Sequence, residues 1–205
     1  IVDVSGYYKT SNDVGVFGRI SFLIFIVVLG IESARQTVAR LKKGRRVEEL
    51  EQFALNDSMT GMYNRNAYDY FVKNEKDFEG YVIVTFDLNN LKQCNDQYGH
   101  RAGDEYIINA AHIIEDNFER YGKCYRIGGD EFCCIIPKGR YFKIERVMHK
   151  IDQDVEILNH KNIIPVPVGI AYGYAVFTAD DTDPEKVRER ADEDMYRNKK
   201  AMKQS

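Results

Sequence analysis

The four cysteines of the sequence lack the spacing that metal sites and redox sites require. No two of them form a Cys-x-x-Cys pair, and none stands in a Cys/His ligand pattern. Two are adjacent in a predicted strand, so their side chains point to opposite faces. We therefore expect four small buried side chains in a reducing cytosol, which argues against a metal or redox role: Cys94, Cys124, Cys133 and Cys134.

The sequence also lacks an excess of positive charge. Its 29 Lys and Arg residues are outnumbered by 32 Asp and Glu residues, which gives a net charge of −3. This composition does not favour nucleic acid as a partner. A signal-peptide cleavage pattern is missing as well, and a first residue other than Met, Ile1, is typical of a piece of a longer protein. The length of 205 residues suffices for one well-cored domain with an appendage.

Long apolar runs are also scarce, with one exception near the start. Residues 20–31 contain no charged residue, and back to residue 14 the single charge is Arg19. The run is apolar on all sides of a helix, which favours a membrane environment. Six basic residues and no acid follow at 34–46, as expected on the cytoplasmic side of a membrane. We predict a transmembrane helix at 14–31, with a buried helix as the alternative.

The predicted span sets the expected organisation of the chain. Residues 1–13 form a predicted polar loop, residues 32–55 a cytoplasmic linker helix, and residues 56–205 a folded domain. We expect the protein at the inner or cell membrane, with this domain in the cytoplasm. In the domain, strands and helices follow each other without a regular βαβ alternation, which indicates the α+β class.

Residues 126–132, Arg-Ile-Gly-Gly-Asp-Glu-Phe, have the pattern of a hairpin tip between two strands. Gly128 and Gly129 allow positive φ and place no side chain in front of a ligand. Asp130 and Glu131 follow directly beside this open tip. Two such carboxylates suit a cation and a phosphate, although a surface turn with solvated acids has the same pattern.

A further acid strengthens the cation hypothesis. Asp87 stands at the C-terminal end of a predicted strand and can converge with Asp130 if both strands share a sheet. Mg²⁺ usually binds through one or two carboxylates together with substrate phosphates. Lys92 offers a point charge for a phosphate, and the backbone amides of residues 89–92 can cradle further phosphate oxygens at a helix start.

Polar residues further along the chain suit a nucleotide. Asn95 follows Lys92 on the same helix face. His100 and Asp104 share a face of the next helix, and Gly103 leaves room for a ligand. Asn95 and Asp104 together can recognise the edge of a guanine base, because a carboxylate accepts hydrogen bonds from the N1 and N2 hydrogens of guanine. The last helix carries a polar stripe that is either solvated or adds charge near phosphates: Asp192, Tyr196, Lys199 and Lys203.

Together these motifs resemble the GGDEF family of diguanylate cyclases. Residues 128–132 spell Gly-Gly-Asp-Glu-Phe, the signature of that family. Other blocks match in order and spacing: Asp-x-x-Thr-Gly-x-x-Asn-Arg at 57–65, Asp and Lys-x-x-Asn-Asp within 87–96, Gly-His-x-x-Gly-Asp at 99–104, and Asp-x-x-Met-Tyr-x-x-Lys at 192–199. The resemblance covers about residues 56–203.

The resemblance implies a palm-like α+β domain, related to nucleotide cyclases, with a mostly antiparallel central sheet. It also implies the condensation of two GTP into cyclic di-GMP and two pyrophosphates. Each domain would hold one GTP, and two domains would face each other in a homodimer. Mg²⁺, or Mn²⁺ in its place, is the implied cofactor.

Residue roles carry over from the matched motifs. The implied metal ligands are Asp87, the backbone carbonyl of Leu88, and Asp130, which is also the family's proposed general base. Lys92 would stabilise charge in the transition state. The remaining roles are guanine recognition by Asn95 and Asp104, a place in the nucleotide pocket for His100, phosphate contact for Lys199, and a second acid beside Asp130 in Glu131.

Some positions depart from the family pattern. Asn89 replaces the usual acid two residues after the first metal ligand, and Leu91 replaces the usual phenylalanine of that block. Met202 and Lys203 stand where Gly and Arg are common. Because none of these positions is an implied ligand, an active cyclase remains the leading hypothesis.

The product-inhibition motif of the family, Arg-x-x-Asp, is missing. Its ends would fall at Glu119 and Gly122, so we expect no feedback inhibition through that site. Two alternatives to an active cyclase stay open. One is an inactive GGDEF domain that binds GTP or a partner as a sensor, and the other is a membrane-anchored interaction module without a nucleotide.

Overall fold

The computed structural model describes residues 22–23, 25–38, 54–139 and 143–202. The chain divides into two compact units between Glu51 and Gln52. In the first unit, residues 22–23 and 25–38 are helical and form α1. Its apolar side chains are exposed: Phe22, Leu23, Phe25, Ile26, Val27, Val28, Leu29, Ile31 and Val38.

The predicted transmembrane helix at 14–31 is not supported. Among the residues that the structure describes, no helix is both long enough and apolar enough to cross a membrane. Residues 14–21 and residue 24 of the predicted span lie outside the described residues, as do the predicted loop at 1–13 and residues 39–53 of the predicted linker at 32–55.

The second unit is built around one sheet. Its elements are β1 (Tyr63–Asn64), α2 (Arg65–Asn74), β2 (Val82–Asn89), α3 (Leu91–Tyr98), α4 (His100–Phe118), β3 (Lys123–Arg126), β4 (Glu131–Ile136), α5 (Ile144–His160), β5 (Gly169–Val176) and α6 (Pro184–Met202). The strand order is β1-β3-β4-β2-β5. The β1–β3 pair is parallel and the other pairs are antiparallel. The predicted α+β class with a mostly antiparallel sheet is therefore confirmed.

Strand β2 is central because its sequence, Val-Ile-Val-Thr-Phe-Asp-Leu-Asn, is apolar on both faces. Val84, Phe86 and Leu88 pack in a core with α4 and α5. Ile83 belongs to a second core on the other face, with residues of α2 and α6. Burial on both faces fixes which way each β2 side chain points.

The end of β2 differs from the prediction. The strand continues past Asp87, because Leu88 and Asn89 pair with Ile170 and Gly169 of β5. The next helix, α3, begins at Leu91. Between them, the Asn90 backbone takes a left-handed conformation with φ 61°. Asp87 consequently lies inside the strand and not at its end.

Helix α6 packs closely against β5 at Gly173. A Cβ atom at this position would lie 2.0 Å from the Met195 backbone nitrogen and 2.4 Å from the Ala191 carbonyl oxygen. Such distances are too short for any side chain, so the helix backbone would have to move. Gly173 thus permits the contact that places α6, and its polar stripe, beside the sheet.

We expect Gly173→Ala to lower the free energy of unfolding by about 3 kcal/mol, because the added methyl group overpacks a backbone contact. Urea unfolding monitored by circular dichroism measures the change. Gly129→Ala is the matched control. Nothing lies within 4 Å of a Cβ at that position, so its effect should stay below about 1 kcal/mol. Equal effects of the two substitutions would contradict the close packing of α6.

Candidate active site

The pairing of β2 with β4 brings the two acidic motifs together. Asp87 of β2 stands directly opposite Glu131 of β4. Directly opposed residues of an antiparallel pair project from the same face, so these two carboxylates are neighbours. The Leu88 amide also donates a hydrogen bond of 3.1 Å to the Asp130 carbonyl oxygen. The sheet therefore juxtaposes the backbone of Leu88 and Asp130, both predicted metal ligands.

The turn between β3 and β4 is tight. Neither Gly128 nor Gly129 uses the positive φ that a glycine allows. Instead, the amides of Ile127 and Gly128 both donate to the Glu131 carbonyl oxygen, at 3.0 and 3.2 Å. A Cβ on Gly128 would lie 2.8 Å from the Glu131 carboxylate, whereas Gly129 faces open space. The open tip that the sequence predicts is thus present at Gly129.

A largely enclosed arginine holds the turn in place. Arg126 donates from Nη2 to the Gly129 carbonyl oxygen at 2.8 Å and from Nη1 to Asp57 Oδ1 at 3.0 Å. Asp57 also accepts hydrogen bonds from the Thr60 amide and hydroxyl, at 2.9 and 2.8 Å. Sequence reasoning did not assign Arg126 any role. The 57–65 motif was the signal that could have found this role, because it contains Asp57, the partner of Arg126, and Thr60, which also binds Asp57.

These contacts favour the charged form of Asp57. Burial alone raises the pKa of this carboxyl. The hydrogen bonds from Thr60 and the guanidinium of Arg126 outweigh burial and hold the pKa of Asp57 below its ordinary value. The ion pair is largely enclosed, since the Arg126 side chain is 11% exposed. Asp57 therefore anchors the turn as an anion.

Lys199 contacts an acid where a phosphate was predicted. Its ammonium group forms an ion pair with the Asp87 carboxylate. Both side chains are partly enclosed, with 25% of Lys199 and 16% of Asp87 exposed. The polar stripe of α6 is thus not merely solvated at this position. Val187 and Ala191 of the same helix are fully buried.

The predicted nucleotide-binding residues lie on α3 and α4. A Cβ at Gly103 would lie 2.0 Å from Asn95 Oδ1. The space predicted to receive a ligand is therefore filled by the Asn95 amide, and Gly103 leaves room for that side chain. Lys92, His100 and Asp104 are exposed and make no side-chain hydrogen bond or ion pair with another described residue.

Asn89, a departure from the family pattern, is buried at the end of β2. Its side-chain Nδ2 contacts Met202 Sδ at 3.6 Å, and its Oδ1 has no hydrogen-bond partner among the described residues. Tyr106 of α4 donates its hydroxyl to the Asn89 carbonyl at 2.5 Å and accepts from the Gly169 amide at 2.7 Å. Tyr106, which sequence reasoning missed, thereby ties α4 to both strands.

The donor set fits a hard divalent cation. Asp87 and Asp130 offer carboxylate oxygens, and Leu88 offers a backbone carbonyl, which are the ligand types that Mg²⁺ and Mn²⁺ take. Within the described residues, no cluster of three or more His, Cys, Asp or Glu side chains could hold a metal ion. A cation at this place would therefore depend on substrate phosphates or water for its remaining ligands.

The sheet places paired acids beside a bare turn, and comparison with known proteins identifies the family. The family model "Diguanylate cyclase, GGDEF domain" matches residues 54–205. The chain belongs to the GGDEF family.

Similar proteins come from several bacteria. The chain is 31% identical over 67% of its length to the bifunctional diguanylate cyclase/cyclic di-GMP phosphodiesterase MucR of Pseudomonas aeruginosa, covering 22% of that protein. It is 28% identical over 74% of its length to the diguanylate cyclase DgcS of Shewanella oneidensis, covering 52% of that protein. The chain thus spans about half or less of these two relatives.

A solved structure with the same fold is the coiled coil and GGDEF domain of DgcB from Caulobacter crescentus, in complex with c-di-GMP. The TM-score is 0.70 at 23% identity, over 84% of this chain and 95% of that chain. At this identity the likeness concerns the fold.

Asp57→Asn should lower the free energy of unfolding by about 1–2 kcal/mol at pH 7, because the Arg126 ion pair loses its anion. The folded-state pKa of Asp57 lies below the ordinary 3.8. The contribution is therefore complete above this value and is lost as the pH falls through the lower folded-state pKa. Urea titrations from pH 7 to pH 3 should show the two proteins converging.

Asp116→Asn is the control for this pH series. Asp116 is an exposed acid on α4, so its substitution should change stability by less than about 0.5 kcal/mol at any pH. A difference between Asp57→Asn and the unmutated protein that persists unchanged at pH 3 would rule out an ionised Asp57 as the anchor of the turn.

Proposed function

We propose that this protein is a diguanylate cyclase, which condenses two GTP into cyclic di-GMP and two pyrophosphates. One observation carries the proposal: the β2–β4 pairing sets Asp87 and Leu88 against Asp130 and Glu131 in a GGDEF-family domain. The relatives named as diguanylate cyclases support the same reaction.

In the proposed reaction, the 3′-hydroxyl of each GTP attacks the α-phosphorus of the other, and pyrophosphate leaves. Asp130 accepts the proton of the attacking hydroxyl. Asp87, the Leu88 carbonyl and Asp130 would hold Mg²⁺ or Mn²⁺, which would supply neutralisation of the charge on the phosphates. Lys92, exposed at the start of α3, reaches the phosphoryl group and stabilises its growing charge.

In addition to its ion pair with Asp87, Lys199 has a proposed role in substrate binding. Its ammonium forms an ion pair with Asp87, one of the residues that would hold the cation, so Lys199 would lie near the phosphates of a bound GTP. We assign Lys199 to phosphate contact on this ground. Glu131 completes the acidic pair, and its position opposite Asp87 supports that assignment.

Guanine recognition is assigned to Asn95 and Asp104, with His100 lining the pocket. The Asn95 amide is held by its fit against Gly103, which provides one prearranged polar group. Asp104 is exposed four residues beyond the start of α4 and is free to accept the guanine N1 and N2 hydrogens. A retained acid at this position favours guanine over other bases.

The reaction requires a homodimer, because one domain holds one GTP and the product contains two nucleotides. Feedback inhibition through the family's Arg-x-x-Asp motif is not part of the proposal. Glu119 and Gly122 replace the ends of that motif. A Cβ at Gly122 would lie 2.1 Å from the Ile135 carbonyl oxygen, so an aspartate does not fit there without a backbone shift. Membrane attachment and a cytoplasmic catalytic domain remain predictions from the sequence.

The alternative is a GGDEF domain that binds GTP without turning it over. The specific observation behind it is Asn89, a buried amide where the family usually has an acid. A cyclase assay separates the two hypotheses, and a catalytically silent chain that still binds GTP would favour the alternative.

The chain incubated with GTP and Mg²⁺ should produce cyclic di-GMP, measured by liquid chromatography. Asp130→Ala should lower the rate at least about 100-fold, because it removes both a metal ligand and the general base. Glu156→Ala, an exposed acid of α5, is the matched control and should leave the rate unchanged. Product formed equally well by Asp130→Ala would eliminate the mechanism.

Asp104→Asn should lower kcat/KM for GTP by roughly 10- to 100-fold, because a pair of hydrogen bonds to guanine is worth about 1–3 kcal/mol. The fall should appear mainly as a higher KM. Glu105→Gln, the exposed neighbour on α4, should behave like the unmutated protein. An unchanged KM for GTP in Asp104→Asn would remove this residue from base recognition.

A further inference from the structure

Two cysteines meet in the core beneath the acidic turn. Cys124 of β3 and Cys134 of β4 are directly opposed in the antiparallel pairing. Their Sγ atoms are 2.9 Å apart, and both thiols are free. We propose that Cys124 and Cys134 are a modification site, at which oxidation forms an intramolecular disulfide across the β3–β4 hairpin.

The strand geometry already meets the requirements of a disulfide. Directly opposed residues of an antiparallel pair have Cα atoms about 4.5–5.5 Å apart, within the range of about 4.4–6.8 Å seen in disulfides. The sulfur atoms need to approach from 2.9 Å to about 2.05 Å. The sulfur atoms can make this approach without a change of strand register, so the hairpin can keep its pairing.

The other cysteines do not compete for this bond. Cys133 belongs to the core on the opposite face of the sheet, and Cys94 lies on α3. Neither has a sulfur atom within hydrogen-bonding distance of another cysteine. The pairing of Cys124 with Cys134 is therefore the specific outcome that the fold predicts.

A hydroperoxide is the chemical class of oxidant that balances the reaction. The Cys124 thiolate attacks the peroxide, which breaks the O–O bond and leaves a sulfenic acid and water or an alcohol. The Cys134 thiolate then attacks Cys124 Sγ and displaces water. In total, two thiols and one hydroperoxide give one disulfide and one water together with one alcohol or a second water.

Burial determines the order and pace of these steps. Cys124 is 5% exposed and Cys134 is 0% exposed, so the peroxide reaches Cys124 first. Burial also raises the pKa of the Cys134 thiol, so its thiolate forms slowly and the second step waits for brief openings of the hairpin. The site thus responds to sustained oxidation.

The bond would enclose the acidic turn. Residues 128–131 lie inside the loop that Cys124 and Cys134 close, and closing a loop restricts the unfolded chain. Because the native pairing is kept, oxidation should secure the hairpin and not disrupt it. This inference concerns the fold and stands whether or not the domain is an active cyclase.

The test treats the 205-residue chain with hydrogen peroxide, then unfolds it and alkylates the remaining thiols. We expect two of the four thiols to resist alkylation, a mass loss of two hydrogens, and a linked peptide pair that contains Cys124 and Cys134. Dithiothreitol should restore all four thiols. Cys94→Ala and Cys133→Ala should still form the link, whereas Cys124→Ala and Cys134→Ala should not.

Other patterns would overturn the proposal. These are full alkylation of Cys124 and Cys134 after peroxide, a linked peptide that contains Cys94 or Cys133, or a link between two chains. The peptide map of the unmutated chain decides the outcome even if a core substitution fails to fold. The oxidised chain should also melt at a higher temperature than the reduced chain, and a lower melting temperature would contradict a secured hairpin.

Discussion

The pairing of β2 with β4 is the constraint on which the candidate site depends. A slip of one residue would turn every side chain of a strand to the other face of the sheet. Such a slip would turn Asp87 and Glu131 toward the apolar core that packs on α4 and α5, and it would remove Phe86 and Phe132 from that core, where they are 1% and 0% exposed. The apolar residues of both strands therefore enforce the register that makes two acids neighbours. In this way the core determines which acidic side chains are neighbours at one end of the β2–β4 pair.

Further contacts hold the turn at the end of that pairing. Arg126 joins the Gly129 carbonyl to Asp57, which belongs to a motif far from the turn in sequence. The Leu88 amide holds the Asp130 carbonyl from the other side. A turn fixed from both sides keeps its acids in place before a ligand arrives, which lowers the cost of assembling the site.

The sequence was sufficient for the features that depend on local patterns. A strand that carries Asp87 and a hairpin tip at Gly128 and Gly129 were both predicted, and both are present. The class of fold followed from the order of these elements. Five motif blocks then led to the family that the family model also matches.

Contacts between distant residues could not be predicted in the same way. The ion pair of Lys199 with Asp87 joins residues 112 positions apart, and the contact of Arg126 with Asp57 joins residues 69 positions apart. Cys124 and Cys134 lack a recognisable spacing because strand register, and not a linear motif, brings them together. Gly103 was interpreted as open space, although the Asn95 amide fills it. Each of these depends on which elements pack together.

The most direct test of the central claim is Mn²⁺ binding measured by electron paramagnetic resonance in the presence of GTP. If the β2–β4 pairing builds the metal site, Asp87→Asn and Asp130→Asn should each weaken Mn²⁺ binding at least about tenfold. Glu156→Gln, an exposed acid on α5, should bind Mn²⁺ like the unmutated chain. Unchanged Mn²⁺ affinity in both Asp87→Asn and Asp130→Asn would contradict a metal site at this end of the β2–β4 pair.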